Sequence, residues 1–470
     1  MKQRLVTDEN KKWWTLGAVS VGLFMIMLDN TIVNVALPSI QRSLGMSLSE
    51  LEWIVAGYAL TFAAFMLTGG KLADFLGRRL IFMAGLVVFT AASLACGLAP
   101  NGGFLIGARV VQGLGGALMN PSTLSIITAT FPPRERGKAI GIWAGVSAMA
   151  LAIGPLVGGL LAEHVNWNWI FFINVPIGIA GFITAPIFIE ETRDTSHEQR
   201  LDLPGLFASA VGLFSLTYAF IEANNYGWTS GRILGAFGIA VVALVVFVLL
   251  ERHQRLPMLD LSLFRNRTFG GANGAMLFVG LAMFGTFFFV SIYMQHVLGY
   301  SPVQAGASFL PMTFLVILLA PRTGALADRF GSRWLVGGGM TLLAGMLLYY
   351  SRLGLHESFW SLLPGLVMGG IGMAMTMTPT TAAAMSAVSN DKAGVGSAVL
   401  NSSRQVGGSL GIAVMGAIVA SGSTYLGGFH DALRVGALLC LAGAAIAVAA
   451  VRKVEHPHHA HEVARMADAA

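Results

Sequence analysis

The sequence predicts an all-α integral membrane protein, and three observations support that prediction. Hydrophobic residues make up 55% of the 470 residues and charged residues only 11%, whereas a soluble domain usually carries about a quarter charged residues. The charge-poor stretches are about 20 residues long, which is the length that an α-helix needs to cross a bilayer. Glycine and proline are frequent inside these stretches, as is normal for membrane helices.

Fourteen apolar segments account for the transmembrane helices that we expect. They run over 15–37, 50–70, 80–99, 103–127, 138–162, 169–190, 203–223, 232–250, 271–297, 304–326, 334–351, 360–383, 396–421 and 433–452. The first segment is too long for the apolar core of a signal peptide, so no cleavable signal is expected. Cys96 and Cys440 lie inside apolar segments and are expected to be buried thiols, without a disulfide framework.

Lysine and arginine are distributed unequally between the two sides of the predicted bundle. With the N-terminus inside, most of them fall in cytoplasmic segments, and the outer loops and helix ends hold only Arg42, Arg232, Arg352 and Arg434. Positive residues concentrate on the cytoplasmic side of membrane proteins. We therefore expect a multi-pass protein of the inner (cytoplasmic) membrane with both termini in the cytoplasm. The same distribution accounts for the net charge of +6 without a nucleic-acid partner.

One loop pattern occurs twice. Residues 70–79 and 324–333 align without gaps and share Gly, Leu, Ala, Asp, Gly and a final Arg. If the seventh and eighth segments are an insertion, each copy follows the second helix of a six-helix half. The predicted division is 1–200 for an N-terminal six-helix bundle, 201–256 for two inserted helices, 257–452 for a C-terminal six-helix bundle and 453–470 for a cytoplasmic tail.

Six motifs occur in order along the chain. They are the loop at 70–79, LDNTIVNVALP at 28–38, RVVQG at 109–113, GPLVGG at 154–159, WIFFINVP at 169–176 and NSSRQVGG at 401–408. Together they resemble the motifs of the major facilitator superfamily, specifically its fourteen-helix drug:proton antiporters of the multidrug efflux type. The resemblance covers nearly the whole chain and implies two parallel six-helix halves with two extra helices between them. One departure is Asn168, where the family often has arginine.

The resemblance implies a proton-coupled antiporter that exports lipophilic, cationic drug-like compounds across the inner membrane. Three alternatives stay open: a dedicated exporter of one metabolite, lipid or antibiotic, an importing symporter, and a non-transporting receptor or scaffold. The motif at 154–159 disfavours the importer, and the intact motifs in both halves disfavour the receptor. The expected partners are a small lipophilic substrate, protons and membrane lipid, and a monomer is expected.

No enzymatic activity, catalytic residue or cofactor is expected. The sequence has no phosphate-binding Gly-Lys-Ser/Thr loop, so direct ATP drive is not expected. The histidines of the tail have no spacing that would define a metal site, so no metal is expected either. These tail histidines are His456, His458, His459 and His461.

Three residues are candidates for proton coupling. Asp29 is a carboxylate inside a membrane helix, where charge is costly and usually functional, and it lies about 12 Å from the outer helix end. It could exchange a proton or pair with a cationic substrate; the alternative is an aspartate that only packs helices. Arg109 lies at a similar level and is linked to proton transfer in the resembling family; the alternative is an arginine bonded to backbone carbonyls. Glu222 could take part in coupling or be a solvated interfacial carboxylate.

A second set of residues is predicted to control gating and the contact between the halves. It comprises Gly70, Asp74, Gly77, Arg78, Gly154, Pro155, Gly158, Gly159, Asp328 and Arg404. Small residues let helix backbones approach closely, a proline can kink a helix, and Asp74 is placed to meet a helix N-terminus of the other half. The alternatives are ordinary tight packing, a positive-inside anchor for Arg78, and substrate contact for Arg404.

A polar and adaptable cavity is the last expectation. Asn30 and Asn34 form an i,i+4 pair beside Asp29, so this helix face is expected to border a polar cavity. Phe287 and Met375 come from helices rich in methionine and phenylalanine, which make adaptable pockets for varied ligands. The same residues facing lipid would give an identical sequence pattern, so that alternative stays open.

Overall fold

The computed structural model describes residues 8–193, 201–254, 257–388 and 393–452, and the described chain contains helices and no β-strand. The α-helices are α1 (Asp8–Leu44), α2 (Leu48–Leu76), α3 (Arg78–Gly97), α4 (Gly102–Thr130), α5 (Pro133–His164), α6 (Trp169–Phe172), α7 (Asn174–Phe188), α8 (Leu203–Tyr226), α9 (Gly231–His253), α10 (Arg267–Ile292), α11 (Pro302–Ser308), α12 (Leu310–Phe330), α13 (Ser332–Tyr350), α14 (Phe359–Ser386), α15 (Ala393–Ser421) and α16 (Tyr425–Ala450). The predicted all-α class is therefore confirmed.

The sixteen α-helices of the described chain make fourteen long rods. Only Ile173 separates α6 from α7 and only Phe309 separates α11 from α12, and both residues keep helical backbone angles, so each pair forms one rod. Twelve of the rods are long and apolar enough to cross a membrane. The other two, α13 and α15, have 19 and 29 residues and pack against neighbouring helices of the bundle. Polar residues between Asn401 and Gln405 account for the lower hydropathy of α15.

The internal repeat is visible in how the second helix of each half begins and ends. A capping box starts α2, where the Ser47 hydroxyl accepts from Glu50 N, and another starts α11, where Ser301 plays the same part with Gln304. At the other end, α2 stops at Gly77 with a φ of 128° and α12 stops at Gly331 with a φ of 87°. These backbone angles favour glycine, so the shared glycine of the repeated loop has a conformational reason.

The helices pack in two groups with α8 and α9 beside them. In the first group α1 packs on α5, α4 and α7, while α4 also packs on α2 and α3. In the second group α10 packs on α15 and α16, and α13 packs on α14 and α16. Helix α8 contacts both groups, through α2 and α15, and α9 packs on α8. The inserted pair therefore touches both halves at one side of their junction.

The two ends of the bundle differ in how closely the halves meet. We call the end that carries Lys71, Arg78 and Arg79 the basic end, and the other the opposite end. Toward the opposite end, Cβ atoms added at Gly159 or Gly306 would overlap backbone atoms of Pro302 and Pro155, so α5 and α11 are in backbone contact.

In the basic half of α5 three glycines are uncovered. Cβ atoms added at Gly137, Gly141 or Gly145 would meet no atom of the described chain within 4 Å. Helix α5 therefore contacts the second half closely toward the opposite end and carries uncovered glycines toward the basic end.

Candidate functional site

A buried polar network joins the helices of the first half around Asp29. Arg109 Nη1 donates to Asp29 Oδ2 at 2.5 Å and to Gln112 Oε1 at 2.6 Å. Gln112 Nε2 donates to Asp29 Oδ1 at 2.9 Å and to Ser93 Oγ at 2.6 Å. Asn174 Nδ2 lies 3.4 Å from Asp29 Oδ1 and 3.3 Å from Ser93 Oγ. The side chains come from α1, α3, α4 and α7, so the network ties these four helices together.

The guanidinium of Arg109 is held on its other faces by α2 and α6. Arg109 Nε donates to the Ile54 carbonyl at 3.1 Å. Its Cζ lies 4.2 Å from the centroid of the Tyr58 ring and 5.8 Å from that of Phe171, which are cation–π distances. Arg109 therefore pairs with a carboxylate and also bonds a backbone carbonyl.

The network balances two buried charges. Asp29 and Arg109 have 0% and 1% of their side chains exposed, and one carboxylate faces one guanidinium. Three donors surround the Asp29 carboxyl group, and removing one partner of such a buried pair is strongly destabilising.

The neighbours of Asp29 on α1 point elsewhere. Asn30 and Asn34 are half-buried, and their amides donate to Ile26 O and Asn30 O within α1. The Asn34 carbonyl accepts from Ser291 Oγ of α10 at 3.0 Å, so this face of α1 lies toward the second half. The expectation that Asp29 shares the face of Asn30 and Asn34 is wrong, because Asp29 is fully enclosed by the first half.

Three members of the network were not predicted from the sequence. Gln112 and Asn174 stand in the RVVQG and WIFFINVP motifs, and Ser93 lies in an otherwise apolar stretch of α3. Two of them could have been predicted because they carry amide side chains in membrane helices, and buried polar groups need hydrogen-bond partners. Gln112 also follows Arg109 by three residues and therefore lies on the same side of α4.

Glu222 lies apart from this network, near the end of α8. Trp53 Nε1 donates to its Oε1 at 3.3 Å and Asn225 Nδ2 donates to its Oε2 at 2.9 Å. The side chain is half-buried, so it is neither a fully solvated carboxylate nor a partner of Asp29. Asn168, the departure from the family pattern, donates from Nδ2 to Gly97 O at 2.6 Å and so caps the end of α3.

The loop between α2 and α3 is organised by two carboxylates. Asp74 Oδ1 accepts from Arg78 Nε at 2.9 Å, one turn further along the chain. Glu191, which follows α7, accepts from the backbone N–H groups of Arg79 and Leu80 at 3.0 and 3.1 Å. Its carboxylate thereby satisfies the free donors at the start of α3. A Cβ at Gly77 would come within 2.6 Å of this carboxylate, which adds a steric reason for glycine there.

Asp74 and the first turns of α15 border the same cavity. The cavity has a volume of about 120 Å³, and Gly70, Lys71, Met258 and Ser397 also line it. Asp74 therefore faces the N-terminal turns of a helix of the other half across a gap, while Arg78 neutralises it. Closure of the basic end would bring this carboxylate to the positive end of the α15 dipole.

Replacing Asp74 by asparagine is expected to slow transport by about threefold to thirtyfold, because an anion at a helix N-terminus contributes up to about 2 kcal/mol. The amount of protein in the membrane should not change. The measurement is turnover at equal expression, and the matched control is Asp431→Asn, whose carboxylate pairs with Arg434 but is 61% exposed at the opposite end. Turnover equal to that of the unaltered chain would contradict a role for Asp74 in closing the basic end.

The glycines of the fifth-helix motif lie where backbones meet. Cβ atoms added at Gly154 and Gly158 would overlap Thr31 Oγ1 and approach Ile32 O of α1 at 2.5 Å, and one at Gly159 would overlap the Pro302 carbonyl of the other half. Pro155 lies inside α5, and its carbonyl touches Gly306. Helix α5 therefore contacts α1 on one side and the second half on the other, through residues without bulky side chains.

The remaining predicted residues lie in the second half. Arg404 of α15 donates to Asn401 Oδ1 at 3.3 Å within its own helix, and its Nε has no hydrogen-bond partner in the described chain. Phe287 is half-buried, with its ring 5.5 Å from that of Phe309. Met375 packs between α14 and α13, where its Cε lies 3.4 Å from a Cβ added at Gly338. The Asp328 side chain and the tail histidines fall outside the described residues.

The described residues contain no cluster of three or more His, Cys, Asp or Glu side chains that could hold a metal ion. Cys96 and Cys440 are both buried free thiols within the described chain. Cys96 Sγ lies 3.7 Å from Gln112 Oε1, at the edge of the Asp29 network.

Comparison with known proteins gives the same architecture. A crystal structure of a bacterial homologue of the human lysosomal transporter Spinster, in an inward-facing and unoccupied conformation, superposes with a TM-score of 0.66 over 94% of this chain and 97% of that one. At 18% sequence identity, this similarity shows a common fold.

Curated relatives are similar over most of the chain. The tetracenomycin C resistance and export protein of Streptomyces glaucescens is 38% identical over 411 residues, 87% of this chain and 76% of that protein. The multidrug resistance protein Stp of Mycobacterium tuberculosis is 38% identical over 410 residues, with the same two coverages. The puromycin resistance protein pur8 of Streptomyces alboniger is 36% identical, over 88% of this chain and 83% of that protein.

The sequence profile of one family matches residues 19–412, which include the Asp29 network, the α2–α3 loop and the fifth-helix glycines. With its helical membrane fold and its relatives named for resistance and export, the chain belongs to the Major Facilitator Superfamily and is a multi-pass membrane transporter.

Proposed function

We propose that this transporter is a proton-coupled antiporter that exports lipophilic drug-like compounds, cationic ones included, across the cytoplasmic membrane. The observation that supports this most is the buried Asp29–Arg109 pair, because intramembrane charges mark substrate and proton pathways. The names of the relatives support the substrate class. Both termini are proposed to be cytoplasmic, which places the basic end inside, and the protein is proposed to act as a monomer.

Proton exchange at Asp29 requires a rearrangement of the network. A protonated Asp29 can no longer form the ion pair with Arg109, so one of its hydrogen-bonded contacts must be remade. Asn174 Oδ1 has no hydrogen-bond partner in the described chain, and it lies on the amide whose Nδ2 is close to Asp29 Oδ1. That oxygen is an acceptor to which a neutral Asp29 carboxyl could donate, and Arg109 would keep its bonds to Ile54 O and Gln112.

Helix α1 is proposed to link the substrate to the proton. Successive helical residues point about 100° apart, so Asp29 faces the first half while Asn30 and Asn34 face the second. A ligand bound against Asn30 and Asn34 would shift the same helix that positions Asp29. Substrate and proton thus affect one helix from two sides, and no direct contact between them is needed.

The exchange of access is proposed to occur by rocking of the 1–200 bundle against the 257–452 bundle. Backbone contacts between α5 and α11 close the opposite end, and the free glycines of α5 lie at the basic end. The cavity beside Asp74 is the gap that would shrink as the basic end closes. Substrate would enter from the basic end in the arrangement described here.

The experiment that tests this function is ethidium efflux from cells that express the chain, with and without a protonophore. Energised cells should lose ethidium fluorescence, and the protonophore should abolish the loss. The Asp431→Asn variant is expected to keep transport and serves as the control in the same assay. Efflux that persists with the protonophore would contradict proton coupling, and absence of efflux would contradict the proposed export of lipophilic cationic compounds.

A dedicated exporter of one compound is the second candidate, because two relatives are named for a single antibiotic each. Competition separates the two functions. In a broad exporter, several unrelated lipophilic compounds should slow ethidium efflux. In a dedicated exporter, one compound should be transported and the others should have no effect.

A further inference from the structure

Glu52 is a second buried carboxyl group in the membrane region, and the Asp29 network does not use it. It lies in α2 toward the opposite end, and only 2% of the residue is exposed. Its carboxyl group lies against α15, where a Cβ added at Gly416 would overlap Glu52 Oε1. The surrounding surface is apolar, with Ala56, Ile221 and Ala413 forming a buried cluster from α2, α8 and α15.

Within the described part of the chain, the Glu52 carboxyl group accepts no hydrogen bond and forms no ion pair, whereas Asp29 has three donors. An ionised carboxylate buried without a partner costs several kcal/mol and takes up a proton instead. Glu52 must therefore be neutral while α2 and α15 are in contact.

The charged groups around Glu52 favour the same protonation state. On α8, Glu222 is a second carboxyl group, and it accepts from Trp53 and Asn225. Two carboxylates close together repel each other, which opposes a negative charge on Glu52.

The other charges nearby do not neutralise Glu52. Glu50, on its own helix, is engaged in the capping box with Ser47. On α9, Arg232 stacks over the rings of Tyr218 and Tyr226 at 5.4 and 3.9 Å. The charged residue of α15 nearest in sequence to Gly416 is Arg404, about 18 Å away along the helix.

We propose that Glu52 is a protonation latch on the opposite end of the transporter. Closure buries its neutral carboxyl against Gly416, and separation of α2 from α15 exposes it so that it ionises. The proton comes from the medium at that end and returns there when the end opens. Glu52 would therefore set how the external pH controls opening, and the exchanged proton would still be carried by Asp29. This inference rests on the proposed alternation of access.

The test measures opening directly on the purified full-length chain, without substrate. Spin labels go on cysteines introduced at Ser43 and Ser423, which are exposed at the opposite end of the first and second halves. Cys96 and Cys440 are buried, so the spin label should react only with the introduced cysteines. Pulsed electron paramagnetic resonance gives the ratio of open to closed molecules between about pH 5 and pH 9, a range that starts just above the ordinary pKa of a glutamate.

The unaltered chain should open as pH rises, because each opening releases the proton of Glu52, which contributes up to about a tenfold change in the ratio per pH unit. In Glu52→Gln this contribution should vanish and the closed form should persist at high pH. Glu50→Gln is the matched control: it is the same substitution two residues away, it preserves the capping box, and it should titrate like the unaltered chain.

A second variant keeps the test independent of Glu52 itself. Gly416→Ala places a methyl group where the carboxyl lies, so it should raise the open-to-closed ratio at every pH and leave the pH slope unchanged. The latch is overturned if Glu52→Gln keeps the slope of the unaltered chain, if the unaltered chain shows no slope, or if Gly416→Ala leaves the ratio unchanged. If the unaltered chain exports no ethidium but still shows the pH slope of the open-to-closed ratio, the proposed function is overturned and the latch is supported.

Discussion

Replacing Asp29 by asparagine is expected to abolish uphill export while leaving the protein folded in the membrane. Asparagine keeps the shape of the side chain and can still accept from Gln112, but it cannot take up and release a proton. A carrier without the exchangeable proton can move substrate only down its gradient. The measurement is accumulation of substrate by inside-out vesicles with an imposed pH gradient, where the variant should fall to the level of vesicles without a gradient.

Two further variants sharpen this expectation. Asp29→Glu keeps a titratable group one methylene further out, so it should retain partial uphill transport with a shifted pH profile. Asp431→Asn makes the same chemical change at an exposed ion pair and should transport like the unaltered chain. If Asp29→Asn accumulates substrate at the unaltered rate, the exchanged proton is carried elsewhere, and Glu222 becomes the next candidate.

Replacing Arg109 by methionine is expected to destabilise the protein by about 3–5 kcal/mol, because it leaves the Asp29 carboxylate buried without its cation. The loss should appear as low yield and early aggregation in a heating series of the purified protein. Arg434→Met is the matched control, since its ion pair with Asp431 is more than half exposed and such pairs contribute at most about 1 kcal/mol.

The double variant Asp29→Asn with Arg109→Gln separates folding from coupling. It removes both charges together, so it should recover most of the stability that Arg109→Met loses, while uphill export should remain absent. Groups in one network are expected to be non-additive in this way. If Arg109→Met is as stable as Arg434→Met, the energetic role assigned to the buried pair is wrong.

Hydropathy predicted the order of the helices because twelve of the fourteen rods are long and apolar enough to be recognised individually. The ends were less accurate. Helix α1 runs over Asp8–Leu44 where 15–37 was predicted, since a helix continues past the bilayer core into polar residues such as Lys12 and Arg42. The capping boxes at Ser47 and Ser301 mark helix starts by local hydrogen bonds and were in principle readable from sequence.

The site was predictable only where the signal is local to one helix. Asp29 and Arg109 stand out as charges in apolar helices, and their depths were comparable. The direction in which Asp29 points depends on which neighbours surround α1, and so the shared face with Asn30 was wrong. Glu52 follows a polar stretch and resembles a residue of a helix end. Its burial depends on Gly416, more than 350 residues away in the sequence, and no local pattern encodes that contact.

The central claim is that Asp29 carries the proton that is exchanged for substrate. The most direct measurement is proton release on substrate addition to the purified transporter in weakly buffered solution. A pH indicator follows the release, and the starting pH is one at which part of the protein is protonated. We expect release of about one proton per substrate bound by the unaltered chain, the same release by Glu50→Gln, and none by Asp29→Asn. Equal release by Asp29→Asn and the unaltered chain would contradict it.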